Sequence, residues 1–352
     1  MTNYRKKYPY LQFIASQIKR YPQPKNNASL VIDLFAGCGG LALGFEAAGF
    51  KTIGYEMLPD ACATYRHNLS GACKQVKLTE ETELTDKPEV IIGGPPCQPF
   101  SVSGRQKGLK DSRDGFPIFL NAVKRYAPKL AIFENVRGML FRNKTYFEEI
   151  VSSLRNMGYI VEWEIMTASD YGVPQKRQRL FCVAHQGGWH WPKKTHLDAP
   201  LTVGDALGEW ALMPRDDEGK FLTASMDEYV KKYELKSKCV RPRDLHLNEP
   251  ARTVTCRNLG AATGDMLRLR LPDGRRRRLT VREGARLQSF PDWFEFRGSE
   301  QSQFNQIGNA VPPILGKAIA DCVKVCLDGG DRFLSQKTDL LNQPIQLSLK
   351  LF

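Results

Sequence analysis

The sequence predicts an α/β fold on a mostly parallel sheet, with a smaller and less regular module placed before the chain returns to the first domain. Three observations predict it. Between residues 30 and 185, short apolar runs alternate with stretches of helical spacing. After His185 that rhythm stops, and residues 186–304 are rich in Gly, Pro, Trp and charge. Helical spacing resumes over Pro312–Leu327 and gives way to a polar tail.

Taken in order, residues 1–29 form a polar, basic lead-in within which Leu11–Ile18 predicts a short helix. Apolar runs at Leu30–Phe35, Lys51–Met57, Val90–Gly94, Leu130–Val136, Tyr159–Met166 and Leu180–His185 predict strands. Helices are predicted between them at Leu41–Ala48, Asp60–Asn68, Phe116–Ala127 and Tyr146–Met157. The organisation is therefore a first domain over 1–185, a second module over 186–304, and a returning segment over 305–352. Within the second module, Arg275–Arg278 of DGRRRRLT reads most simply as a solvated hairpin tip, with a phosphate contact as the sharper alternative.

Composition narrows the function classes. Of 352 residues, 42% are hydrophobic and 25% charged, the balance of a globular protein. No apolar run approaches the roughly 18–20 residues that span a bilayer. The start MTNYRKKYPYLQF lacks the apolar stretch of a secretory signal, so an intracellular, cytoplasmic location is expected. Nine cysteines show no paired spacing and no CxxC, which argues against a zinc site or a disulfide framework and for no metal. A reducing compartment would leave one of them free as a reactive thiol. The net charge of +13, with a pI near 9.3, favours a polyanionic partner.

Four segments carry chemistry. Val31-Ile-Asp-Leu-Phe-Ala-Gly-Cys-Gly-Gly40 is a buried strand entering a glycine turn and then a helix, which lets backbone approach a ligand at the helix start. Glu56 closes the next strand, where an acidic side chain in such folds binds ribose hydroxyls; a nicotinamide or flavin dinucleotide would fit the same pattern. In Gly93-Gly-Pro-Pro-Cys-Gln-Pro-Phe-Ser101, Cys97 follows a strand at the carboxyl edge of the sheet, where adjacent prolines hold the thiol in one direction. In Phe133-Glu-Asn-Val-Arg137, Glu134 reaches the same edge with a carboxyl able to give or take a proton. In Gln175-Lys-Arg-Gln-Arg-Leu-Phe181, Arg177 and Arg179 share one face if the segment is extended, and two guanidinium groups suit a phosphate or a carbonyl oxygen.

These segments resemble the DNA cytosine-C5 methyltransferases. DLFAGCGG, GGPPCQPFS, FENVRG, YGVPQKRQRLF, RLTVREGARLQSFPD and QIGNAVPP occur in that family's order, from residue 33 to 313. The short chain looks like a bacterial restriction–modification enzyme. The resemblance implies a Rossmann-like methyltransferase domain with a mostly parallel sheet, plus a smaller, irregular, β-rich target-recognition domain at 186–304. It implies double-stranded DNA as substrate, a monomer, and a possible cognate restriction endonuclease acting on the same site.

By the same resemblance, Cys97 is the nucleophile that adds to cytosine C6 and Glu134 the acid that bonds N3 and the exocyclic amine. Arg177 and Arg179 then hold the cytosine O2 and nearby phosphates. S-adenosyl-L-methionine is the implied cofactor, met by Phe35, the Gly37, Gly39 and Gly40 turn, Glu56, Met57, Pro96, Asn309 and Val311. The target cytosine must be flipped out of the duplex for a thiol to reach it. Residues 101–113 look like the family's loop that closes over DNA, with Ser103 entering the vacated space and Arg113 on phosphate. Thr253 with Val254 matches a short signature of the recognition domain, and Arg257 and Asn258 are candidates to read base edges. One departure stands out. Lys77 occupies the place of the family's usual Asp at the adenine amine, leaving Glu80 or backbone for that task. A tRNA methyltransferase on the same catalytic domain, a Rossmann-type oxidoreductase and a silent DNA-binding module are the alternatives.

Overall fold

The computed structural model describes residues 9–20, 22, 27–96, 114–213, 220–238, 243–260 and 264–333. A seven-stranded sheet of order β3-β2-β1-β4-β5-β7-β6 forms its centre. The strands are β1 Leu30–Leu34, β2 Lys51–Glu56, β3 Ala72–Gln75, β4 Val90–Gly93, β5 Leu130–Val136, β6 Ile160–Thr167 and β7 Gln178–His185. Neighbours from β3 through β5 pair in parallel, and β7 alone runs against both its neighbours. The expected Rossmann-like, mostly parallel sheet is therefore present.

Every predicted strand and helix of the first domain is found, with ends shifted by a residue or two. An N-terminal helix, α1, covers Pro9–Gln17, and the sheet helices are α2 Gly40–Ala47, α3 Pro59–Asn68, α4 Phe116–Tyr126 and α5 Lys144–Asn156. Alternation along β1 divides its side chains between two cores. Val31 points into one with Leu41, Phe45 and Ile319, while Ile32 and Leu34 face the other with Phe119, Phe133 and Phe147. α1 is more than a lead-in: Tyr10, Ile14 and Ile18 are buried in the first core, and the Tyr10 hydroxyl donates to the Arg286 carbonyl at 2.7 Å.

The second module departs from expectation. It was expected to be β-rich, yet among its described residues the strands are one hairpin, β8 Arg268–Arg270 with β9 Arg276–Arg278. Helices dominate instead: α6 Val203–Leu207, α7 Ala224–Lys236, α8 Cys256–Gly260, α9 Val281–Leu287 and α10 Glu300–Asn309. The physical reason is local. Thr202 with Asp205 and Thr280 with Glu283 form reciprocal capping boxes that satisfy the first backbone donors of α6 and α9. The module also has no core of its own, because Val203, Leu207, Val254, Leu259 and Phe290 join the same apolar cluster as Val31 and Phe45. Residue 304, the expected boundary, lies inside α10. The last helix, α11 Pro313–Phe333, then packs on α2. A Cβ at Gly44 would lie 2.4 Å from the Lys317 backbone nitrogen, so these two helices meet backbone to backbone.

Candidate active site

The sheet order reverses direction between β1 and β4, and the crevice outside such a switch point is where open α/β sheets take ligands. Five segments converge there. β2 ends in Glu56, β1 runs into the Phe35–Gly40 turn, β4 leads to Gly94–Pro96, and β5 ends in Glu134 and Asn135. Because β7 is antiparallel, its first residues share that edge, and Arg179 stands opposite Val136 in the register.

The turn after β1 is built for close approach. Phe35 and Gly37 adopt φ values of 60° and 56°, and nothing lies within 4 Å of where a Gly37 Cβ would be. Gly37 N donates to Glu56 Oε2 at 2.8 Å, and Leu58 N donates to Oε1 at 2.7 Å. The Glu56 carboxylate is thus fixed before any ligand arrives, with a lone pair left on each oxygen. Met57 beside it is 56% exposed. Gly40 has its own reason to be glycine: a Cβ there would sit 2.4 Å from the Val311 carbonyl oxygen. That contact brings the Asn309–Val311 segment to the turn, with Asn309 exposed and Val311 buried. Asp33 adds an unforeseen buried carboxyl, whose Oδ2 has no partner. Burial first, then the charge of Glu56, holds its pKa well above the ordinary carboxylate range.

These residues fit S-adenosylmethionine. A pre-held carboxylate suits ribose hydroxyls, Phe35 and Met57 offer apolar faces for a ring, and the space over Gly37 admits a ligand against backbone. Lys77 is exposed, in keeping with its departure from the family pattern. Leu78 next to it is buried and lines a crevice with Leu34, Glu80, Asn121 and Tyr126, where the Asn121 amide donates to the Glu80 carbonyl.

Cys97, Ser103 and Arg113 lie outside the described residues, but the chain on either side of them is firmly held. Asn135 Nδ2 donates to the Pro95 carbonyl at 3.0 Å, and Gly115 N donates to the Pro96 carbonyl at 3.0 Å. Asp114 is buried and accepts from Phe116 N and from the Tyr146 hydroxyl. A Cβ at Gly94 would stand 3.7 Å from Glu134 Oε2, so Glu134 faces the chain where it leaves β4. Arg179 Nε lies 2.8 Å from Glu134 Oε1, with both side chains nearly buried. The pair meets by charge rather than through an aligned N–H···O bond, which leaves that oxygen without a hydrogen-bond donor.

Three expectations require correction. Arg177 does not share the open face with Arg179. It is fully buried, and its Nη1 donates to the Val254 carbonyl at 2.8 Å and the Gly308 carbonyl at 3.3 Å. Burial, and then neighbouring Arg179, push it down to about 9, which leaves it charged at neutral pH. Asn258 does not reach for bases either. Its Oδ1 accepts from Thr255 N and its Nδ2 donates to the Thr253 carbonyl, each at 2.8 Å, so its hydrogen-bonding capacity serves its own loop. Arg275–Arg278 is not a solvated tip: Arg277 is fully buried and forked onto both oxygens of Glu283, and Arg276 is paired with Asp227 and Asp244. Arg275 is exposed, over the Phe221 ring at 4.4 Å, and Arg278 is half-buried.

Thr253 and Arg257 stay on the accessible side; the Thr253 hydroxyl donates to the Lys176 carbonyl at 3.4 Å and Arg257 is exposed. Sequence reasoning passed over Gln175, which is fully buried. Its Nε2 donates to the Leu287 carbonyl and its Oε1 accepts from Val254 N. It also meets Gln288, whose Nε2 donates to the carbonyls of Ile307 and Ala310, each at 2.8 Å. Its place inside the quoted GVPQKRQR segment was the available signal.

The family model for C-5 cytosine-specific DNA methylase matches residues 30–324. The chain belongs to the C-5 cytosine-specific DNA methylases. The Type II methyltransferase M.AplI of Arthrospira platensis is 60% identical over 323 residues, which is 92% of this chain and 92% of that protein. The Type II methyltransferase M1.HphI of Haemophilus parahaemolyticus is 34% identical, over 83% of this chain and 86% of the relative. Two solved structures share the fold. A DNA modification methyltransferase from an E. coli prophage, described as putative, has a TM-score of 0.62 at 23% identity, covering 86% of this chain and all of its own. The S. pombe Dnmt2 methyltransferase has a TM-score of 0.66 at 19% identity, over 87% of this chain and all of its own.

As a C-5 cytosine-specific DNA methylase, the chain methylates cytosine at C5 in DNA. No helix of the described residues is long and apolar enough to cross a membrane. Among the described residues of this methylase, no three His, Cys, Asp or Glu side chains gather to hold a metal ion.

Proposed function

We propose that this methylase is a sequence-specific enzyme of restriction–modification type, taking its methyl group from S-adenosyl-L-methionine and using Cys97 as nucleophile. The observation that carries it is the convergence at one sheet edge of the Glu134–Arg179 pair, the pinned Pro95–Pro96 backbone and the Glu56–Gly37 cradle. The setting is supported by relatives named Type II methyltransferases. In that setting a cognate endonuclease cuts the unmethylated site, and the methylase acts as a cytoplasmic monomer on nucleoid DNA.

S-adenosylmethionine, when bound, supplies the methyl as a sulfonium substituent open to attack by a carbon nucleophile. Glu56 would hold the ribose, Phe35 and Met57 would flank the adenine, and the Gly37, Gly39 and Gly40 backbone with Pro96, Asn309 and Val311 would enclose the rest. Cytosine C5 is too weak a nucleophile unaided, so the Cys97 thiolate adds to C6 and pushes electron density to C5. Glu134, bonded to N3 and the exocyclic amine, neutralises the negative charge that then develops in the ring. Arg179 orients the Glu134 carboxyl and the cytosine O2. Once C5 carries the methyl, water takes the C5 proton, the C6–S bond breaks, and the aromatic ring and the Cys97 thiolate are restored. A stacked base is out of reach of a thiol, so the cytosine is flipped, with Ser103 entering the gap and Arg113 and Thr253 on the backbone. Arg257 reads a base edge.

Bisulfite sequencing of a plasmid carried with this gene tests the reading. One short sequence context, protected at every copy, is expected. Absence of 5-methylcytosine, or methylation without sequence context, would overturn it.

A further inference from the structure

We propose that the outer face of α7 is a DNA-backbone clamp, with Lys231, Lys232, Lys236 and the following Lys238 gripping phosphates of duplex flanking the target site. The proposal rests on the DNA-methylating reading and adds a surface to it. At 3.6 residues per turn, positions 228, 231, 232, 235 and 236 fall on one side of the helix, while 227, 230 and 234 fall on the other. The inner side is spent on the fold. Val230 is fully buried, Asp227 Oδ1 accepts from Arg276 at 3.2 Å, and Glu234 Oε1 accepts from Arg268 at 2.5 Å and from Arg243 N at 2.8 Å.

This inward pairing decides the charge of the outside. The buried arginines of the β8–β9 hairpin draw two of the helix's acids to the inner face. Glu228 alone remains outward, paired with Lys232 at 2.8 Å, while Lys231, Lys236 and Lys238 are exposed beside them. A merely solvated helix face usually mixes its signs. Here four lysines meet one acid. Tyr229 and Leu235 share the same exposed face, Leu235 being 79% exposed, and a tyrosine hydroxyl is a recurrent phosphate donor.

The helix also stands in the right neighbourhood. Tyr233 packs so closely on Gly264 that a Cβ there would lie 2.3 Å from its ring. Gly264 follows α8, which carries Arg257, by a few residues. Arg243 lies over the Tyr233 ring at 5.0 Å and shares Asp265 with Arg252, tying α7 to the segment that leads into α8. Lysine is a flexible point charge, suited to following phosphates rather than to fixing a base edge. The face therefore contributes affinity and leaves sequence choice to other residues.

The test compares the full-length protein with its K231Q/K232Q/K236Q variant. Equilibrium binding to a duplex carrying the target site and long flanks is measured from 50 to 200 mM salt. Each lost phosphate contact lowers the slope of log K against log salt by about 0.9, so the variant should lose between one and three such steps. Methylated sequence, turnover at saturating DNA and thermal stability should not change. Trimming the duplex to the target site should erase the difference between the two proteins. An unchanged slope overturns the proposal, as does a difference that persists on the trimmed duplex, or a loss of turnover at saturation. A wild-type protein that fails to methylate would instead sink the functional reading.

Discussion

Glu134 lies at a strand end, beside the charge of Arg179 and facing Gly94, so its proposed chemistry can be tested by a single atom change. Glu134→Gln removes the acid while keeping the shape, and single-turnover methylation should slow by about 10²–10⁴-fold, the usual worth of a general acid–base group. Cys97→Ser should abolish turnover with DNA binding retained, as measured by gel shift; full methylation by that variant would remove Cys97 from the mechanism. Asp33 gives a pH signature. Its carboxyl is raised well above 3.8 in the folded chain, so stability should fall as pH climbs from about that value, because the unfolded chain ionises first. Asp33→Asn should therefore gain melting temperature relative to wild type between pH 5 and 8; parallel curves would contradict the assignment. The positions of Glu56 and Glu134 were legible in the sequence because each closes an apolar run, and that of Gly37 because a glycine turn follows another such run. Arg177 and Asn258 were not. Whether a polar side chain faces ligand or carbonyl depends on partners such as Gly308, 131 residues from Arg177, which no local pattern contains.

At the scale of elements, the first domain was readable and the module only in part. Buried parallel strands announce themselves as continuous apolar runs, and β4 and most of β5 are such runs. β3 was missed because only Cys73 of its four residues is buried. The β8–β9 hairpin hides its role for a different reason: beside Leu269, its buried residues are the arginines Arg268, Arg276 and Arg277. Arg277 and Glu283 are both fully enclosed, and breaking such a pair from one side costs about 3–5 kcal/mol. Glu283→Ala should therefore lower the melting temperature severely. Pairing it with Arg277→Met should restore most of the loss, whereas additive losses in the double variant would mean the two residues act independently.

Across the whole molecule, the sheet domain and residues 186–304 share one interior, and this changes how specificity can be moved between relatives. The module's apolar residues belong to the core beneath the sheet. A graft of this module onto a methylase with another target should transfer this chain's methylated sequence, provided the cut falls before Ser299 so that α10 stays whole. Cutting at 304 should yield insoluble protein. A soluble graft that keeps the recipient's specificity would show that the α/β domain chooses the site.

The backbone contact between Gly44 and Lys317 carries a consequence for timing. The turn after β1 leaves the ribosome early, yet the carbonyl of Val311 that seals Gly40, and the helix that braces Gly44, are made about 270 residues later. A growing polypeptide thus presents the Gly37–Glu56 turn long before the segments that close over it exist. A ribosome-stalled chain that has not emerged past residue 317 should therefore methylate nothing.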